Sequence, residues 1–246
     1  MAVEIKIVIP SMGRAKKVLT KNAITHGILC VPESEAKEYA EYNPGMEIVT
    51  HPDTLKGLTM KRQFILEKFG NVYQFDDDAT CIKRVYIEKG ETEKCSAEEA
   101  YDIIQYVGNC AKLAGCYYFG LGKEVNPLAY NEFQPIGLTG VINGSCGFIE
   151  GSKLYYNPKA VLSEDYWMAG LNAYLYRKCW IDRRFAEVGA AYAGNTGGCA
   201  NYRTTDQEKE DTLFLRKCFG EAIKVKEDTK LAKRRFEFQR TLTIPF

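Results

Sequence analysis

The chain has 246 residues, 46% of them hydrophobic and 26% charged, with a formal net charge of +1. These values exclude a largely disordered chain, and the length suits one domain that buries its own core without disulfides or structural metals. The small net charge singles out no partner, and no apolar run reaches the ~18 residues needed to span a bilayer, so no membrane association is expected.

Elements follow in chain order. Ile5 to Ile9 is a β-branched run ended by Pro10, and a helix is expected from about Ala15 to Thr25. Ile28 to Val31 is a second strand, stopped by Pro32, and Glu33 to Tyr42 reads as a helix closed by Asn43-Pro44-Gly45. Met46 to Val49 is a third strand, and Leu58 to Phe69 a helix ended by Gly70-Asn71. Val72 to Phe75 is a fourth strand running straight into Asp76-Asp77-Asp78. Beyond it, Cys81 to Glu88 and Cys116 to Leu121 read as strands. Between them, Ser96-Ala97-Glu98-Glu99 is a capping box opening a helix to about Leu113. The stretch from Lys123 to Tyr156 is rich in Gly, Asn and Pro and predicts hairpins and loops. Ser163-Glu164-Asp165 opens a helix to about Lys178, Gly189 to Asn201 an ordered loop, and Asp206 to Phe219 a helix. Val225 to Arg240 reads as a charged helix or an ordered tail. Nothing marks a linker, so one domain is expected over 1–246, with a basic C-terminal segment 224–246.

Strands alternating with helices predict parallel βαβ units: an α/β fold with a Rossmann-type, mostly parallel central sheet flanked by helices. Ligands of such sheets sit outside the carboxyl ends of the strands. Nine cysteines without C-x-x-C pairs, and no secretory-leader pattern before the first strand, predict reduced thiols in a cytoplasmic protein. Most of these cysteines serve as small buried residues on that reading.

The aspartate triplet is the sharpest feature. Three adjacent carboxylates repel one another, and half-burying them is costly unless a cation compensates. Mg²⁺ or Mn²⁺ binds carboxylates and phosphate oxygens together, so acids at a strand end make a clamp for a diphosphate. In an arbitrary loop a solvated acidic turn would be the better reading; here the place after the fourth strand favours function. Pro10, Ser11, Gly13 and Arg14 form the turn after strand one, where backbone N–H groups and the guanidinium can hold a nucleotide. An ordinary βα turn with a surface arginine accounts for it equally well. Lys61 and Arg62, on the helix before strand four, can reach a pyrophosphate or line a solvated helix face. Glu164 and Asp165 open a helix, where the dipole alone favours acids; the alternative is a general base, with Asp165 preferred. Gly197 and Gly198, in Asn195 to Cys199, permit close backbone approach to a ligand or simply make a tight turn.

Pro-Ser-x-Gly-Arg after strand one, Asp-Asp-Asp after strand four and Glu-Asp at a late helix together resemble the GT-A glycosyltransferases, over most of residues 1–220. More specifically, with its compact length, N-terminal Pro-Ser-x-x-Arg, Asp-Asp-Asp and Thr-Gly-Gly loop the chain resembles the TET/JBP-associated glycosyltransferases, found mainly in phages and proposed to add sugars to hydroxymethylated pyrimidines in DNA. The resemblance implies a GT-A fold with a D-x-D motif. Asp76 would then face the nucleoside and bear on the metal, with Asp78 as the principal metal ligand. Asp77 is grouped with the donor-binding residues without a role of its own. The resemblance further implies a UDP-sugar donor such as UDP-glucose, a divalent Mn²⁺ or Mg²⁺, Asp165 as the base of an inverting transfer, and the host cytoplasm if phage-encoded. One departure stands out: many GT-A enzymes supply a later histidine to the metal, and none follows His51 here.

The DNA acceptor has its own sequence signals. Lys224 to Arg240 holds seven Lys/Arg against three Asp/Glu, and Lys230, Lys233, Arg234 and Arg235 can contact phosphates. Sixteen Tyr and two Trp offer stacking surfaces for a base taken out of the helix. A net charge of +1 is low for a DNA binder, which keeps a glycan, lipid or protein acceptor open. A sugar-nucleotide pyrophosphorylase on the same sheet would have a longer first loop than Ser11 to Arg14. A non-enzymatic nucleic-acid-binding module would bind without a donor. The oligomeric state is not fixed by the sequence.

Overall fold

The computed structural model describes residues 2–88, 93–189, 204–225 and 240–243. Its N-terminal quarter is regular. Strands β1 (Lys6–Pro10), β2 (Gly27–Pro32), β3 (Glu47–His51) and β4 (Val72–Gln74) are all parallel, in the order β3-β2-β1-β4. Helices α1 (Ala36–Tyr42) and α2 (Leu58–Phe69) supply crossovers. β1 is buried on both faces, as a helix-covered parallel strand must be. Ile7 and Ile9 join the core beneath α3 (Ala97–Leu113), while Val8 joins the opposite core with α2, α4 (Glu164–Tyr176) and α5 (Thr205–Phe219).

The sheet then becomes mixed. Past β4 the order is β9 (Cys146–Phe148), β7 (Tyr118–Gly122), β10 (Trp180–Gly189), β5 (Ala79–Arg84) and β6 (Glu93–Lys94), with β8 (Ile136–Gly137) on β10. β7 and β10 are parallel to each other, and β9 runs antiparallel to both β4 and β7. Among the described strands of this sheet only β5, β8 and β9 run against β1, so the sheet is mostly parallel and flanked by helices. A separate ribbon pairs β11 (Ile223–Val225) with β12 (Arg240–Leu242).

One expectation needs correction. The helix expected from Ala15 to Thr25 is two 3₁₀ turns, Ala15–Lys17 and Thr20–Asn22. The Asp77 carbonyl takes the N–H groups of Leu19 and Thr20, and the Thr20 hydroxyl donates to the Asp76 carbonyl. Donors bound to the β4 turn cannot close helical bonds, and Val18 and Thr20 are β-branched. β10 was not foreseen at all. Val225 and Arg240, the ends of the segment expected as a charged helix or an ordered tail, lie in β11 and β12, which pair with each other; residues 226–239 lie outside the described set. The capping box is realised in full, with Ser96 and Glu99 each bonding the other's backbone N–H.

Candidate active site

The site lies where β1, β4 and β7 end. β4 stops at Gln74, and Asp76 to Asp78 turn across the strand ends. Asp77 points inward and is 8% exposed. Arg14 Nη1 donates to its Oδ1 at 2.7 Å, and the Ser11 hydroxyl donates to its Oδ2 at 2.5 Å. Tyr39 closes this cluster: its hydroxyl shares a 2.7 Å hydrogen bond with Ser11 and accepts the Arg14 backbone N–H at 3.1 Å. Asp77 thereby acquires a role sequence reasoning could not give it. It ties the loop after β1 to the loop after β4. Pro10 is the last residue of β1, and Gly13, at φ +66°, donates its N–H to Glu35 Oε2 at 2.7 Å.

Asp76 is handled by a second arginine. Arg62 is 1% exposed, and its Nη2 donates to Asp76 Oδ1 at 2.7 Å. Its Nη1 reaches Gln74 Oε1 at 3.3 Å, and its Nε stands 3.9 Å from Glu164 Oε1. One guanidinium therefore sits between the aspartate turn of β4 and the first turn of α4, which are far apart in sequence. Lys61 is buried as well, and its charge is felt at Cys30 and His51.

The other carboxylates are half-buried. Burial pushes the Glu164 carboxyl up to about 7, with Asp165 adding to the rise and Arg62 opposing it. Burial also raises Asp165, against the Tyr166 N–H, which donates to its Oδ1 at 2.8 Å, and the charges of Lys123, Arg240 and Arg62. Glu187, on β10, is a site residue the sequence reading missed. Burial pushes its carboxyl up to about 8, helped by the charges of Asp76 and Asp78, while a hydrogen bond from Ser145 opposes the rise. The Ser145 hydroxyl also accepts the Asp76 backbone N–H at 2.9 Å. The signal was faint: Asp182, Arg183, Arg184 and Glu187 break the alternation that marks a strand.

Gly144 matters for access. At φ +74°, a Cβ there would lie 2.8 Å from Asp76 Oδ2. Only glycine keeps that oxygen's approach open. Asp78 is about one-third exposed, 4.0 Å from Arg14 Nη1. Among the described residues no three His, Cys, Asp or Glu side chains stand together as a metal cage. Asp76 and Asp78 are the acids of this turn whose oxygen chemistry suits a divalent ion completed by phosphate oxygens and water.

Structure therefore brings together Ser11, Arg14, Arg62, Asp76, Asp77, Asp78, Glu164 and Asp165. Gly197 and Gly198, and the basic residues Lys230, Lys233, Arg234 and Arg235, lie outside the described residues. No helix of the described residues is long and apolar enough to cross a membrane.

Residues 5–182 match the model of the TET-associated glycosyltransferase family. No curated protein matches the chain. Among solved structures, S. aureus TarS 1–349 aligns with a TM-score of 0.48 at 10% identity, over 86% of this chain and 65% of that one. The same fragment in complex with UDP aligns at 0.47 and 10%, with the same coverage. The chain thus spans less than two thirds of the TarS fragment. CMP:2-keto-3-deoxy-manno-octonic acid synthetase complexed with CTP aligns at 0.37 and 9% identity, over 87% of this chain and all of that one.

Proposed function

Because the chain belongs to the TET-associated glycosyltransferase family, we propose that it transfers a sugar from a UDP-sugar, UDP-glucose in the first instance, to the hydroxyl of a 5-hydroxymethylpyrimidine in DNA, with inversion. The observation that carries this reading is the convergence on Arg62, which meets Asp76 at 2.7 Å and Glu164 at 3.9 Å. A transferase needs a donor clamp and a base on one reacting centre, and Arg62 holds Asp76 of the clamp beside Glu164, the chain neighbour of the base Asp165.

In this reading the nucleoside diphosphate lies over the ends of β1 and β4. Asp78 and Asp76 would hold Mn²⁺ or Mg²⁺, and that ion would supply charge neutralisation for the departing UDP. Arg14 and Arg62 are held by Asp77 and Asp76, so they shape the clamp more than they bind phosphate. Asp165 takes the proton from the acceptor hydroxyl as that oxygen attacks the anomeric carbon. The bond to the UDP oxygen breaks, and the leaving electron pair stays on the diphosphate. A carboxyl raised by burial is a stronger base than a solvated one, which suits this task.

Incubation of the protein with radiolabelled UDP-glucose and Mn²⁺ tests the acceptor. Label is expected in DNA containing 5-hydroxymethylcytosine and not in unmodified DNA. Label in a glycan, lipid or protein fraction instead would keep the transferase and remove the DNA acceptor.

A further inference from the structure

The loop before β9 reaches both halves of the site, and strand register puts it there. β4 and β9 pair with Gln74 opposite Cys146, so two residues further on Asp76 faces Gly144. β7 and β9 pair with Tyr118 opposite Phe148, and the same ladder carried past its last bond sets Lys123 opposite Asn143. Contacts agree with that register. Gly144 lies under Asp76 Oδ2, and Ser145 accepts the Asp76 N–H. With the Asn143 amide turned to satisfy both of its ends, its nitrogen donates to Asp165 Oδ2 at 3.1 Å and its oxygen accepts from Lys123 Nζ at 2.5 Å. The reverse orientation would set oxygen against carboxylate and nitrogen against ammonium.

We propose that Asn143 is a positioning residue for Asp165, with Lys123 orienting its amide. The Tyr166 N–H holds one oxygen of the carboxylate and Asn143 the other, leaving the remaining lone pairs for an acceptor hydroxyl. A carboxylate gripped at both oxygens cannot swing away as the hydroxyl arrives. Because Asn143, Gly144 and Ser145 are consecutive, the same short loop also fixes Asp76. The distance between donor clamp and base is thereby set by backbone rather than by two independent side chains. An Asn suits the post better than an acid, since it donates to Asp165 without adding a like charge. The inference rests on Asp165 being the base.

The test uses the full chain in five forms: wild type, Asn143→Ala, Lys123→Ala, Lys123→Arg and Asp165→Asn. UDP-glucose transfer to hydroxymethylated DNA and UDP-glucose hydrolysis by water are both followed, and wild type and Asn143→Ala are crystallised. Asn143→Ala and Lys123→Ala are expected to lower kcat about 10- to 100-fold with the donor KM unchanged. Lys123→Arg should recover most of that loss. The Asn143→Ala crystal should show the Asp165 carboxylate turned from its wild-type orientation. Unchanged kcat in Asn143→Ala beside an inactive Asp165→Asn would overturn the positioning role and leave the base standing. Full activity in Asp165→Asn would remove the base itself. An Asp165 carboxylate unmoved in the Asn143→Ala crystal overturns the proposal whatever acceptor the enzyme takes.

Discussion

The β1–β4 edge of the site and the edge formed by β9, β10 and α4 both carry carboxylates, and they treat them in opposite ways. At the first edge Asp76 and Asp77 each meet a guanidinium at 2.7 Å, from Arg62 and Arg14. At the second, burial lifts Glu164 to about 7 and Glu187 to about 8. The guanidinium contacts fix the place of the two carboxylates, which a diphosphate clamp needs. Acids whose burial outweighs their partners give and take protons closer to neutral pH, which a base needs. Arg62 touches both edges and lets them lie close without repelling each other apart.

If that division of labour is right, loss of the base should be the largest effect. Asp165→Asn is expected to lower transfer by roughly a thousandfold while UDP binding, measured by calorimetry, stays unchanged. Equal loss of both would place Asp165 in the donor clamp and erase the distinction between the edges. Arg62→Ala comes next. It leaves Asp76 and Glu164 without the buried guanidinium they share and opens a cavity in its place, so urea unfolding should show a loss of about 3 kcal/mol. Stability within about 0.5 kcal/mol of wild type would mean that the two edges do not depend on the shared cation.

The pH dependence is the gentlest probe. A protonated Asp165 cannot accept a proton, and both members of the Glu164–Asp165 pair are raised. kcat/KM should therefore fall on the acid side at a pH above the ordinary carboxylate range, because burial raises Asp165, and be full above that limb. Glu164→Gln removes a like charge beside Asp165 and should shift that fall to lower pH. A limb left where it was would show that Glu164 does not act on the base.

The same two edges differ in how far the sequence discloses them. At the first, β-branched runs broken by Pro10, Pro32 and Gly70 place the strands and helices, and Asp76 to Asp78 follow β4 as the pattern predicts. Even there Asp77 gained its role only from Arg14 and Ser11, a contact across more than sixty residues. The expected helix after β1 failed for a related reason, because the Asp77 carbonyl competes for the N–H groups that a helix would use. At the second edge the short strands β8 and β9 carry no periodicity of their own. β10 hides its alternation behind Asp182 and Arg184, which pair with each other at 2.6 Å. Glu187 and Asn143 thus became visible only once register set them beside Asp76 and Asp165. Glu164 and Asp165 were legible as a helix start, but their burial was not.

A crystal structure with UDP and Mn²⁺ bound tests the central claim most directly. The account predicts the diphosphate over the ends of β1 and β4, the metal on Asp78 with Asp76 beside it, and the Asp165 carboxylate across the open space from the β-phosphate. A metal seated on Glu164 and Asp165, with UDP away from the aspartate turn, would contradict it.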